Sequence, residues 1–182
     1  MANFDIKIEN VVASATLNAK IPLDKIVGFL EGTEYEPEQF PGLVYRLKDP
    51  KAAALIFSSG KIVCTGARSP ELAQKAIAKV VEMIRSASIK VPPGYTTQVE
   101  NIVASAKIHD ELNLDDIAFS LENAEYEPEQ FPGLVYRMAD PRVAFLLFGS
   151  GKIVCTGGRT ISDVNKAVKK LHEKLKSIKA LK

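Results

Sequence analysis

The stretch Glu34-Tyr-Glu-Pro-Glu-Gln-Phe-Pro-Gly-Leu-Val-Tyr-Arg46 occurs a second time, letter for letter, from Glu125 to Arg137. The second copy begins 91 residues after the first (125 − 34), half of the 182-residue chain. The same offset carries Ser59–Gly66 onto Ser150–Gly157, Glu9-Asn10 onto Glu100-Asn101 and Asp49-Pro50 onto Asp140-Pro141, without a gap. A chain written this way is held to two copies of one structural unit, residues 1–91 and 92–182. A near-two-fold molecule suits a near-two-fold target, and duplex DNA is the commonest of these.

Composition narrows the classes. Hydrophobic residues at 46% and charged residues at 25% are ordinary for a globular protein. Charges or glycines break the longest apolar runs, and no charged-then-apolar leader precedes Phe4, so an intracellular protein without a membrane span is expected. A formal net charge of +2 leaves no polybasic arm; cations that meet nucleic acid must be arranged rather than abundant. Cys64 and Cys155 are the same repeat position, lie in apolar strand patterns and lack a CxxC neighbour, so both are expected to be buried and inert. His109 and His172 do not match across the repeat and have no ligand-spaced partners, which suggests surface positions. No catalytic or metal-ligand constellation emerges, and no enzyme activity, cofactor or metal is expected.

Each half reads as strand, helix, four strands, helix. Phe4–Leu17 alternates like a strand, and residues 22–30 suggest a short helix with Pro22 near its start. Strands are expected at 43–47, 52–57 and 61–67, with turns at Asp49-Pro50 and Ser58–Gly60. Ser69-Pro70-Glu71 opens a long helix, with Leu72, Ala76, Val80 and Ile84 on one face. The second copy repeats this plan with Val164, Val168, Leu171, Leu175 and Ile178. Two-residue spacing sorts the strand faces. Val11, Ala13, Ala54, Ile56, Ile62 and Cys64 fall on one side; Asn10, Val12, Ala53, Leu55, Phe57, Lys61, Val63 and Thr65 fall on the other. The second repeat places Asn101, Val103, Ala144, Leu146, Phe148, Lys152, Val154 and Thr156 on that other side. Helices can cover only one face, so an apolar second face marks a binding surface.

The paired EQFPGLVYR and SGKIVCTG motifs at this spacing resemble the TATA-box-binding protein family over both repeats, and the short N-terminal segment resembles its archaeal members. The resemblance implies an α+β fold: a pseudo-two-fold saddle of one ten-stranded curved antiparallel sheet, four helices on its convex face and promoter DNA beneath. It implies a general transcription initiation factor that enters the minor groove, and a location on the nucleoid in the cytoplasm of an archaeon or in the nucleus of a eukaryote. Base contacts would fall to Asn10, Val12, Leu55, Val63 and Thr65, and to Asn101, Val103, Leu146, Val154 and Thr156. Phe40 with Phe57 and Phe131 with Phe148 match the family's wedge pairs. Arg46, Lys51, Ser59, Lys61, Arg137, Arg142, Ser150 and Lys152 match positions that contact the DNA backbone. Ordinary roles compete for these residues: core packing for a strand valine, a capped core edge for the aromatics and solvated charge for a lysine.

The halves differ in charge. Between Ile108 and Tyr136 no Lys or Arg occurs, whereas Asp110, Glu111, Asp115, Asp116, Glu122, Glu125, Glu127 and Glu129 do. The last helix carries Lys166, Lys169, Lys170, Lys174, Lys176, Lys179 and Lys182. Drift between solvated duplicates is one reading. The resemblance implies another, in which the loop of Glu127, Glu129 and Gln130 meets transcription factor B and RNA polymerase follows indirectly. The apolar face could also pair two copies into a homodimer until DNA competes for it. A regulatory scaffold that keeps the fold without binding promoter DNA remains the alternative.

Overall fold

The computed structural model describes residues 4–178, so Lys179 and Lys182 of the basic tail lie outside the described residues. The chain divides into two compact units, one of residues 10–100, the other of residues up to Glu9 together with Asn101 onward. Elements follow in the order β1 (Lys7–Thr16), α1 (Leu23–Phe29), β2 (Thr33–Glu34), β3 (Leu43–Lys48), β4 (Lys51–Ile56), β5 (Lys61–Ala67) and α2 (Pro70–Ser86). The second copy gives β6 (Thr96–Lys107), α3 (Leu114–Ser120), β7 (Ala124–Glu125), β8 (Leu134–Met138), β9 (Val143–Leu147), β10 (Lys152–Gly158) and α4 (Ile161–Ser177). In the unit of residues 10–100 the strand order is β2-β3-β4-β5-β1; in the other it is β6-β10-β9-β8-β7. Every neighbouring pair within these two orders is antiparallel.

Local chemistry sets the helix ends. The Ser69 hydroxyl accepts the Leu72 N–H at 3.1 Å ahead of Pro70, and Glu71 stands in the positive first turn of α2. Thr160 accepts from Asp163 N–H at 3.0 Å to start α4, and Asn113 accepts from Asp116 N–H at 3.1 Å to start α3. Pro22 occupies the cap position of α1 rather than its first turn, where its missing N–H costs nothing and its carbonyl accepts the first helical bond.

The alternation expected of the strands is present in their burial. Val11, Ala13, Ala54, Ile56, Ile62 and Cys64 are all at most 1% exposed, and α2 packs against β4 and β5. Ile102, Ala104, Phe145, Leu147, Ile153 and Cys155 fill the same places in the other unit, where α4 packs on β10. Burial pushes the Cys64 thiol up to about 11 and the Cys155 thiol up to about 12, so both stay protonated near neutrality and neither is a nucleophile there.

Two expectations change. Leu72 is 39% exposed; the stripe buried by α2 is Ala73, Ala76, Ile77, Val80, Val81 and Ile84, one position further round the helix. A 3.6-residue period centred on Ile77 puts Leu72 at the margin, while Ala73 permits the close approach to the sheet. The first of the four strands after each short helix is the two-residue β2 or β7, too short to show any alternation in the sequence.

Candidate nucleic-acid interface

Strand register assembles the side chains that face away from the helices into rungs. In the unit of residues 10–100, Val44, Leu55, Val63 and Ser14 are successive cross-strand partners, as are Arg46, Ala53 and Thr65. In the other unit Val135, Leu146, Val154 and Ser105 form the first rung, and Arg137, Ala144 and Thr156 the second. Asn10, Val12, Leu55, Val63 and Thr65 are partly exposed, and so are Asn101, Val103, Leu146, Val154 and Thr156. An apolar sheet face left without helices over it is expected to have a partner. Val44 and Val135 belong to these rungs although the sequence pattern did not single them out. The register, which sets them beside Leu55 and Leu146, reveals them.

A β-bulge fixes the polar groups on this face. Register passes from Val11↔Ala67 to Ala13↔Cys64, so Thr65 and Gly66 together face Val12. Gly66 takes φ +100°, open to glycine, and its N–H is freed from the ladder. That N–H donates to Asn10 Oδ1 at 2.6 Å, and Asn10 Nδ2 donates to Thr65 Oγ1 at 3.0 Å. The second unit repeats the arrangement: Gly157 has φ +104° and donates to Asn101 Oδ1 at 2.6 Å, while Asn101 Nδ2 donates to Thr156 Oγ1 at 3.1 Å. An N–H can only donate, so each amide has its oxygen turned to the bulge and its NH₂ turned outward. One NH₂ proton serves the threonine and the other has no partner among the described residues. Each unit therefore presents an oriented, uncharged donor within an apolar surface.

The aromatic residues occur in pairs. Phe40 and Phe57 stand edge to face with ring centroids 5.8 Å apart at 66°, and Phe131 and Phe148 repeat this at 6.0 Å and 66°. Phe40 and Phe131 are 39% and 42% exposed. Beneath each pair lies a glycine: a Cβ on Gly42 would sit 2.7 Å from Phe40 and 3.0 Å from Phe57, and one on Gly133 2.8 Å from Phe131 and 3.0 Å from Phe148. These glycines are part of the site, and their repetition within the PG dipeptide was the only sequence signal for them.

Arg46, Lys51, Ser59 and Lys61 are exposed, as are Arg137, Arg142, Ser150 and Lys152. Arg46 makes one loose ion pair, Nε to Glu34 Oε1 at 4.0 Å, between groups 66% and 69% exposed, so it is free to exchange partners. Register adds Lys48, opposite Lys51, and Lys107, opposite Lys152, which sequence patterning had passed over. Glu127, Glu129 and Gln130 are exposed on a turn in which Gln130 and Phe131 both donate N–H to the Glu127 carbonyl, at 2.9 and 3.0 Å. The acidic loop and one aromatic of the second pair thus share a single turn. Phe119, on α3 beside Asp115 and Asp116, is 94% exposed. The histidines lie by the segment before β1: His109 Nε2 is 3.2 Å from Asp5 Oδ2, and the partly buried His172 ring stands 4.9 Å from that of Phe4.

A family model described as Transcription factor TFIID (or TATA-binding protein, TBP) matches residues 5–87 and again 96–178. The TATA-box-binding protein of Methanobrevibacter smithii is 52% identical over 178 residues, covering 98% of both chains. That of Methanosphaera stadtmanae is 55% identical over 175 residues, covering 96% of each. The solved structure of Methanococcus jannaschii TBP superimposes with a TM-score of 0.86 at 52% identity, covering 96% of this chain and 98% of that one. A duplicated α+β unit with ten antiparallel strands and four helices, one sheet face left apolar around neutral donors, is the build of a DNA-binding transcription factor and not of an enzyme. The chain belongs to the TATA-box-binding protein family, as an archaeal-type transcription initiation factor.

Proposed function

We propose that the outward sheet faces enter the minor groove of A·T-rich promoter DNA, and that the two phenylalanine pairs wedge open base steps and kink the duplex. The observation that carries this reading is the oriented Asn–Thr donor set in an apolar face, once in each unit. The minor-groove edge of an A·T pair shows only acceptors, adenine N3 and thymine O2, whereas a G·C pair adds a protruding amine. Outward NH₂ groups suit the acceptors, and Val12, Val63, Val103 and Val154, with Leu55 and Leu146, leave the guanine amine without a partner. Unstacking costs a few kcal/mol per step and is offset by the surface that bent DNA buries; this family is itself a standing example of the mode. The cationic and hydroxyl residues, from Arg46 and Lys51 to Ser150 and Lys152, would contact phosphates and set register without reading sequence.

A salt titration on end-labelled TATA and G·C-substituted duplexes, read by end-to-end energy transfer, tests the reading. The expected result is selective binding, a shortened TATA end-to-end distance, and a log–log salt slope of about −5 if six phosphates are neutralised. Equal, unbent binding to both duplexes would reject it. Failure to bind either duplex at low salt would instead favour the scaffold.

The exposed turn of Glu127, Glu129 and Gln130 supports a second part of the proposal, that this loop docks transcription factor B and through it RNA polymerase. Exchanging Glu127→Arg together with Glu129→Arg is expected to keep TATA affinity within about twofold, as for substitutions of exposed charge, and to abolish the factor B supershift. An undiminished supershift would remove the loop from the interface.

A further inference from the structure

We propose that Lys107 and Lys152 together grip one backbone phosphate of the bound DNA, at a rung whose counterpart in the first repeat holds a single lysine. The proposal rests on the DNA reading above. Lys107 ends β6 and Lys152 begins β10, and the two are direct cross-strand partners in the antiparallel register. Strand alternation puts Lys107 on the side of Val103 and Ser105, and Lys152 on the side of Val154 and Thr156, so both project from the face that carries the Asn–Thr donors. Both are exposed, and neither makes an ion pair among the described residues. Of nearby carboxylates on this unit, Glu9 is bonded to the Ser105 hydroxyl at 2.9 Å and Asp5 lies 3.2 Å from His109. The rung is held in place by its backbone, since the Lys107 N–H donates to the Phe4 carbonyl at 2.7 Å.

Like charges directly opposite each other destabilise a strand pair. Two ammonium groups on flexible stems, projecting from neighbouring Cβ positions, can converge on the oxygens of a single anion and relieve that repulsion. The sister repeat provides an internal control. The position 91 residues before Lys107 is Thr16, which stands opposite Lys61 in the equivalent rung. One lysine there is a solitary cation of the kind any surface carries. Two in register make a divalent clamp suited to a phosphodiester, the anion that a DNA-facing surface meets.

The test replaces Lys107 by its sister residue and follows DNA affinity and fold stability in parallel. For Lys107→Thr, TATA affinity should fall several-fold at low salt while the log–log salt slope holds, because Lys152 still neutralises the shared phosphate; adding Lys152→Thr should make the slope shallower by about 0.9, one phosphate's share. Preference for the TATA over the G·C duplex should stay unchanged, because a phosphate contact reads no sequence. The thermal midpoint should hold or rise, since the repulsion is gone. Lys107→Arg should keep the wild-type affinity, and Thr16→Lys should raise affinity several-fold without steepening the slope while lowering the thermal midpoint. A purely structural lysine would move affinity and stability together, so a lowered midpoint in Lys107→Thr would overturn the proposal. So would a Lys107→Thr affinity equal to that of a wild-type protein whose own binding is steeply salt-dependent. Wild-type binding without salt dependence would overturn the DNA reading as well, which distinguishes the two failures.

Discussion

Exchanging Asn10 and Asn101 for aspartate is expected to leave the fold standing and to remove A·T recognition. The substitution is nearly isosteric, and the bulge accepts it: a carboxylate oxygen takes over the Gly66 or Gly157 N–H now held at 2.6 Å. The Thr65 and Thr156 hydroxyls, already within 3.4 Å of the amide oxygens, can donate to the same carboxylates. Stability should therefore shift by no more than about 0.5 kcal/mol, the usual range for a satisfied surface change. The outward groups change sign, however. On the proposed reading, an NH₂ placed to donate to adenine N3 or thymine O2 becomes an anion facing an acceptor, inside a groove already flanked by phosphates. Leaving a buried polar group unmatched costs about 1–3 kcal/mol, and more when it is charged. Each single exchange should weaken TATA binding by at least roughly thirtyfold, and the double exchange should reduce it to the level of the G·C duplex. Equilibrium binding alongside thermal unfolding checks both halves. Retained TATA selectivity in the double variant would show that the amides are not the readers.

What the sequence disclosed, and what it concealed, follows from how far apart in the chain the cooperating residues lie. The repeat and the two faces of β4 and β5 were legible because period-two alternation is a local property: Ile62 and Cys64 are buried, Val63 and Thr65 partly exposed, as their order in the chain requires. β2 and β7 were not located because two residues have no period. The Asn–Gly bond depends on a one-residue slip of register between Val11 and Ala13, a relation between strands that neither strand's composition records. Lys48 and Lys107 read as solvated charge until the ladder sets them opposite Lys51 and Lys152. The acidic character of residues 108–136 was plain, but the near-complete exposure of Phe119 within it was not, since a phenylalanine two residues after Ile117 looks as apolar as its buried neighbour.

Adding one methyl group at Gly42 and another at Gly133 should abolish most of the bend while the protein stays folded. Each glycine is the floor on which two rings meet, and a Cβ there would stand 2.7–3.0 Å from ring carbons of both partners. Contacts that short force a shift, and the atoms that must move are the far ends of partly exposed rings rather than backbone. The core beneath is untouched, so the stability cost should stay near or below about 1 kcal/mol. The edge-to-face pairs at 5.8 and 6.0 Å should splay, because the same Cβ presses on ring carbons of both partners at once. A preassembled wedge enters a base step without first ordering its side chains; a splayed one must lose that rotamer freedom on binding. Gly42→Ala with Gly133→Ala should therefore weaken TATA binding by roughly ten- to a hundredfold, about 1.4–2.8 kcal/mol, and lengthen the end-to-end distance of the bound duplex. A duplex mismatched at the outer base steps is already cheap to open and should recover most of the lost affinity, a rescue that general misfolding would not show. Trimming Phe148→Leu beside Gly133→Ala should restore part of the packing and part of the bend. If the double glycine variant bends TATA DNA as the wild type does, the aromatic pairs act as edge caps of the core and the kink has another source.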